Sequence, residues 1–183
     1  MRALANTTGK QVAFVASMSA LGNVLALVTL SIPTPIGQIA LDFSHVGTLV
    51  VALTCGPVLG GMTGALVGIA PFYRFGVAGG FGPVLGLLII PGKSLTGISA
   101  GYLGKRLRPG SATLLGYVPE ALFTYAYFEW IAPAFLAPAV GQYIVALVFP
   151  VLAKAWFEMI VIAIVMELIK KQRILDRLRP HVD

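Results

Sequence analysis

The stretch ALDFSHVGTLVVALTCGPVLGGMTGALVGI, residues 40–69, decides the fold of this chain. It contains one apolar run at Phe43–Cys55 and the start of a second at Pro57–Phe75, with only Gly56 between them. Proline fixes φ and lacks an amide donor, so Gly56-Pro57 predicts either a tight turn between two helices or a kink within one. The first run is short for a membrane span, which needs about twenty apolar residues.

Longer apolar segments lie elsewhere in the chain. Apolar residues make up 57% of the sequence and charged residues 11%, against about 25% charged residues in soluble domains. The other segments of spanning length are Val12–Ser31, Pro83–Leu103, Ala112–Ile131 and Val140–Ile169. The sequence therefore predicts an all-α polytopic membrane protein. We expect a single transmembrane domain over residues 1–183, with spans at about 12–31, 43–55, 57–75, 83–103, 112–131 and 140–169.

The distribution of basic residues decides between five and six spans. Lys and Arg collect in the cytoplasmic loops of membrane proteins, and six spans would place all three basic clusters of this chain on one side. We therefore predict six spans with both termini in the cytoplasm. The net charge of +6 then reflects orientation and contact with membrane lipid rather than nucleic acid, because the basic residues flank helices. The clusters are Arg2 and Lys10; Lys105, Arg106 and Arg108; and Lys170, Lys171, Arg173, Arg177 and Arg179.

Among the ionisable side chains inside the predicted spans, four stand out: Lys93, Glu120, Lys154 and Glu158. Charges in lipid are costly, so such residues are candidates for function. Lys154 and Glu158 share a helix face at i and i+4, and one reading is a buried charge-compensating pair. In the other reading, a lysine contacts an anionic or carbonyl group of a ligand, and a glutamate accepts hydrogen bonds from the amines or hydroxyls of that ligand. Both readings can hold at once.

Four more residues extend the candidate substrate site. Helical spacing places Thr124 and Tyr127 on the same side as Glu120, where they would form a pocket wall or pack in an aromatic core. Asp42 and Ser44 stand at the start of the second helix, and either can cap it. In the alternative reading, Asp42 and His45 contact the ligand.

The sequence predicts no catalytic residue, no metal site and no cofactor. It lacks an HExxH motif, and it has a single cysteine, Cys55. PGKSLTG is not a phosphate-binding loop, because the first glycine of that motif would fall at Leu87; Pro91-Gly92 instead predicts an irregular helix before Lys93. Two alternatives stay open. One is a membrane enzyme acting on a lipid or isoprenoid, with Glu120, Glu158 or His45 as acid or base; the other is a purely structural subunit.

The stretch at residues 40–69, entered from SIPTPIGQI, resembles the second and third helices of the substrate-binding S components of energy-coupling factor (ECF) transporters for vitamins. The likeness lies in the aspartate before helix 2, the Gly-Pro turn and the glycine-rich third helix. It extends to Ala16-xxx-Ala20 in the first helix and to Pro91, Lys93 and Gly97 in the fourth.

The resemblance implies a multi-pass protein of the prokaryotic plasma membrane that captures a vitamin or related micronutrient from outside. It would deliver this ligand by associating with a shared transmembrane coupling subunit and two cytoplasmic ATPases, and would have no ATPase of its own. Ala16 and Ala20 would then face the transmembrane partner, although packing within the chain is the alternative for this pair. The LDFSH segment favours the riboflavin-like branch.

Overall fold

The computed structural model describes residues 8–29, 41–79 and 82–178. Within these ranges the chain is entirely helical and contains no strand. The segment SIPTPIGQI and the terminal residues Arg2, Arg179 and His181 lie outside the described residues. The helices are α1 (Gly9–Thr29), α2 (His45–Cys55), α3 (Pro57–Val77), α4 (Gly82–Leu103), α5 (Pro109–Ala126), α6 (Pro138–Lys171) and α7 (Ile174–Leu178).

Four of the helices in the described ranges, α1, α3, α4 and α6, are long and apolar enough to cross a membrane. α2 is apolar but has only 11 residues. α5 has 18 residues and continues through a π-helical turn, Tyr127–Ile131, into a last short turn, Ala132–Phe135. The all-α, membrane-spanning character is thus confirmed, while six spans and cytoplasmic termini stay predictions.

α2 and α3 form a hairpin that turns at Gly56. The φ of Gly56 is +92°, a conformation that glycine adopts readily and other residues rarely. Pro57 is the first residue of α3, where the missing amide costs no hydrogen bond. A Cβ on Gly60 would lie only 2.7 Å from the Cβ of Ala52, so the two helices pack closely. Gly56-Pro57 is therefore a turn between two helices and not a kink within one.

Glycines also bring α3 against α4. A Cβ on Gly97 would overlap the carbonyl of Gly60, and a Cβ on Gly64 would overlap the carbonyl of Lys93. A Cβ on Gly101 would lie 2.5 Å from the Cα of Pro57. Small residues at such spacing allow membrane helices to approach backbone to backbone. This contact fixes the position of Lys93 relative to α3.

α4 is irregular one turn before Lys93. A proline ring clashes with the carbonyl four residues earlier, which for Pro91 is that of Leu87. This carbonyl accepts instead from the amide of Ile90, at 3.2 Å. The regular helix resumes at Ile89 and runs to Leu103. The predicted irregularity before Lys93 is thereby confirmed, although it lies at Leu87 and Leu88.

The two largest apolar clusters of the described residues pack the helices together. The larger one packs α2, α5 and α6 around Leu49, Tyr117 and Met159. The second joins Leu85 on α4 to Tyr127 and to the first half of α6. Large apolar side chains elsewhere on α1, α5 and α6 point outward, as expected for helices that face lipid. They include Val24, Leu122, Phe149 and Ile164.

Asn23 attaches α1 to α3. Its side-chain amide donates to the carbonyl of Leu66 at 2.9 Å, and its oxygen accepts from the amide of Ala70 at 2.8 Å. The bond to Leu66 lies close to the point where α3 becomes irregular. After Leu66, α3 continues through Ile69–Pro71 into the π-helical segment Phe72–Val77.

Candidate functional site

Charged residues from three helices meet near mid-depth of the bundle. Lys93 lies ten residues before the end of α4, and Glu120 lies eleven residues after the start of α5. At a rise of 1.5 Å per residue, each lies roughly 15 Å from the end of its helix that adjoins the basic cluster at residues 105–108. This distance is about half the hydrocarbon thickness of a bilayer. Glu158 on α6 reaches the same region.

Lys93 is the centre of this polar network. Its Nζ donates to Asp42 Oδ2 and to Ser44 Oγ, each at 2.8 Å, and lies 3.3 Å from His45 Nε2. Only 3% of Lys93 is exposed. Asp42 and Ser44 belong to the non-helical segment before α2, and such backbone is tolerated at membrane depth only against protein or a cavity. α2 is short because the chain before it already reaches the middle of the bundle.

Glu120 forms the second half of the network. Its Oε1 lies 3.3 Å from His45 Nε2, and its Oε2 accepts from the hydroxyl of Thr96. The same imidazole nitrogen therefore stands between Lys93 and Glu120. An unprotonated Nε2 accepts from the lysine, whereas a protonated one donates to the glutamate.

Lys154 and Glu158 form the predicted i, i+4 pair, with Nζ 3.2 Å from Oε2. The other oxygen of Glu158 accepts from the backbone amide of Asp42. Glu158 thus ties α6 to the segment that leads into α2. The pairing reading is confirmed for these two residues, and the same carboxylate also joins the larger network.

Two aromatic rings extend the site beside His45. The ring of Tyr117 contacts His45 edge to face, with centroids 6.2 Å apart, and Trp156 contacts Tyr117 in the same way at 5.2 Å. Tyr117 precedes Glu120 by nearly one helical turn. The polar network therefore has an aromatic wall built by α5 and α6.

Six of the eight predicted site residues come together. They are Asp42, His45, Lys93, Glu120, Lys154 and Glu158. Thr124 is half-buried one turn after Glu120. Tyr127 packs in the second apolar cluster, as in the core-packing alternative. The predicted partner residues Ala16 and Ala20 are both exposed on α1.

One comparison with known proteins identifies the family. The family model described as "ECF transporter, substrate-specific component" matches residues 10–170. The chain belongs to this family. The resemblance read from residues 40–69 is thereby confirmed. A comparison with curated protein sequences gave no match.

ECF substrate-specific components, or S components, are transport subunits rather than enzymes. They bind small-molecule substrates and associate with the ECF module of the transporter. A membrane enzyme is therefore the disfavoured alternative for this chain, and its network is best understood as part of a binding protein.

The structure adds four residues that sequence reasoning left out of this S component's site. Ser44 was expected as a helix cap; its hydroxyl accepts from Lys93, while its amide donates to Asp42 Oδ1 at 2.9 Å. Thr96, Tyr117 and Trp156 complete the set. Spacing was the available signal, because Thr96 follows Lys93 and Tyr117 precedes Glu120 by three residues.

Among the buried polar atoms that have no hydrogen-bond partner in the described part of the chain, one belongs to the network around Lys93. This atom is Nδ1 of His45, whose side chain is only 8% exposed. Buried polar atoms are nearly always hydrogen-bonded, so an unpaired one needs an explanation. A ligand group that bonds to Nδ1 would supply one.

We expect Thr96→Val to lower the free energy of unfolding of the S component by about 1.5–3 kcal/mol, because it removes a buried hydrogen bond to a charged group. Thr113→Val is the matched control. Thr113 is equally buried, and its hydroxyl has no hydrogen-bond partner among residues 8–29, 41–79 and 82–178. Thermal unfolding in detergent compares the two variants. Equal losses would contradict the assigned role of Thr96.

Proposed function

We propose that this S component captures a vitamin or related micronutrient at the outer side of a prokaryotic plasma membrane. It then delivers the ligand through a shared transmembrane coupling subunit and two cytoplasmic ATPases. In this proposal the chain crosses the membrane six times with both termini in the cytoplasm. The observation that carries it is the buried polar network around Lys93.

The charge balance of the network supports a ligand role. It contains three carboxylates, on Asp42, Glu120 and Glu158, and two ammonium groups, on Lys93 and Lys154. Buried charges need compensation. The third carboxylate is balanced either by a protonated His45 or by hydrogen-bond donors of a bound ligand.

The residues around Lys93 favour a planar heterocycle that carries both acceptors and donors along its edge. Lys93 and Ser44 can donate to a carbonyl or anionic group, and Glu120 can accept from an amine or hydroxyl. Tyr117 and Trp156 offer aromatic surface for the ring system. A riboflavin-like vitamin meets this description and is the first candidate to test.

Mass spectrometry of small molecules that co-purify with the protein tests the proposal. A panel of vitamins, riboflavin included, is then titrated by calorimetry into protein shown to be folded. We expect one member of the panel to bind and to be released on denaturation. Absence of binding across the panel would contradict the proposal, as would turnover of a lipid or isoprenoid substrate.

The exposed side of α1 is the proposed contact for the transmembrane partner. α1 packs on α2 and α3 through Val15 and Gly22, and it leaves Ala16 and Ala20 exposed. A Cβ on Gly22 would lie 2.9 Å from the carbonyl of Ser44. The inner side of α1 therefore touches the substrate network, while its outer side offers small residues for close helix packing.

Replacing both Ala16 and Ala20 by leucine should abolish co-purification with the transmembrane partner, because bulky side chains prevent the close approach of two backbones. Ligand binding should be unchanged. Ala153→Leu, at an exposed position of α6, is the control and should leave the complex intact. If the α1 variant still forms the complex, the two alanines have no role in docking.

A further inference from the structure

We propose that the basic end of the bundle binds the phosphate of an anionic membrane lipid. The site is a cleft of about 640 Å³ between the α4–α5 connection and the end of α6, here called the basic cleft. Its lining includes cationic and apolar side chains, those of Arg106, Leu107, Arg108, Leu168, Lys170 and Lys171.

The charge of the basic cleft is strongly one-sided. Among the described residues that line the cleft, four are cationic and one, Glu167, carries a carboxylate. Glu167 Oε1 accepts from the amide of Gly110 at 3.2 Å and so holds the start of α5. Among side chains that the structure describes, no carboxylate forms an ion pair with Arg106 or Arg108. The N-terminal end of α5 adds the positive end of a helix dipole.

The position of the basic cleft favours a lipid over a soluble anion. The cleft lies where α4 and α6, two helices of membrane-spanning character, end. Leu107 and Leu168 line it beside the cations and are themselves exposed. A lipid offers both an anionic phosphate for the cations and apolar chains for the leucines. Basic pockets between helix ends on the cytoplasmic side are suited to anionic headgroups.

The basic cleft is separate from the proposed docking face for the transmembrane partner. That face belongs to α1, which packs on α2 and α3. The cleft is built by the α4–α5 connection and α6. A lipid can therefore occupy the cleft while the partner contacts α1.

Binding of phosphatidylglycerol to the purified full-length protein, measured by native mass spectrometry, tests the proposal. Phosphatidylcholine serves as the comparison lipid. The double variant Arg106→Gln/Arg108→Gln should bind phosphatidylglycerol about 30-fold more weakly, which corresponds to about 2 kcal/mol at 1.4 kcal/mol per factor of ten. The control Lys105→Gln/Arg173→Gln removes two exposed charges that do not line the cleft. It should retain binding, and millimolar inorganic phosphate should not displace the lipid.

Four results would overturn the proposal. The cleft variant, shown to be folded by its thermal unfolding, could bind phosphatidylglycerol as well as the parent. The control could lose as much affinity as the cleft variant, which would indicate general charge attraction. Inorganic phosphate could displace the lipid fully, which would indicate a site for free phosphate. The cleft variant could retain lipid but lose the transmembrane partner, which would make the cleft a protein-docking surface.

Discussion

Lys93→Met should eliminate substrate binding and lower the free energy of unfolding by about 3–5 kcal/mol, because it leaves buried carboxylates without their cation. Asp42 would lose its ion pair, and the hydroxyl of Ser44 would lose its donor. Lys105→Met is the control. Lys105 is exposed and lies over the ring of Tyr102, so its replacement should change stability by no more than about 1 kcal/mol.

The double variant Asp42→Asn/Lys93→Met separates stability from binding. Because both partners of the ion pair are then neutral, it should be less destabilised than the sum of the single variants, by about 1–3 kcal/mol. Substrate binding should stay lost. Thermal unfolding and calorimetry measure the two properties on the same preparations. A double variant that recovers both would show that Lys93 serves packing alone and would contradict its role as a ligand contact.

Gly97→Ala should destabilise the bundle by about 3 kcal/mol, the upper end of what overpacking usually costs. The added Cβ would overlap the carbonyl of Gly60, and neither backbone can give way as a flexible side chain would. The same displacement would move Lys93, one turn earlier on α4, away from Asp42. We therefore expect weaker substrate binding together with a lower unfolding temperature.

Gly92→Ala on the same helix is the matched control for Gly97→Ala. A Cβ there would lie 3.4 Å from Cδ1 of Phe123, an ordinary contact. Alanine favours a helix over glycine by about 1 kcal/mol, so this variant should be neutral or slightly more stable. Similar unfolding temperatures for the two variants would contradict the backbone contact between α3 and α4.

The features that depend on local spacing could be predicted from the sequence. Hydropathy placed the helices, and the i, i+4 rule paired Lys154 with Glu158. The Gly56-Pro57 turn needed the structure to decide between turn and kink. The backbone angle of Gly56 decided it, since φ of +92° ends one helix before Pro57 begins the next.

The convergence of the charged residues could not be predicted, because it depends on how separate helices are rotated against one another. Helical spacing predicted that Tyr127 lies on the same side of the helix as Glu120. The π-helical turn that begins at Tyr127 changes the register after Ala126. The ring of Tyr127 packs with Leu85 instead. Ser44 was expected to cap α2 and bonds to Lys93 instead. Lys93 lies 49 residues further along the chain, so the residues around Ser44 could not predict this hydrogen bond.

We propose that the network around Lys93 is the substrate site. The structure of the protein in complex with the molecule that co-purifies with it tests this most directly. We expect a polar atom of the ligand within about 3.5 Å of Lys93 Nζ, Glu120 or His45 Nδ1, with the ligand ring against Tyr117. A ligand bound elsewhere, with the Asp42–Lys93 and His45–Glu120 contacts unchanged, would contradict the claim.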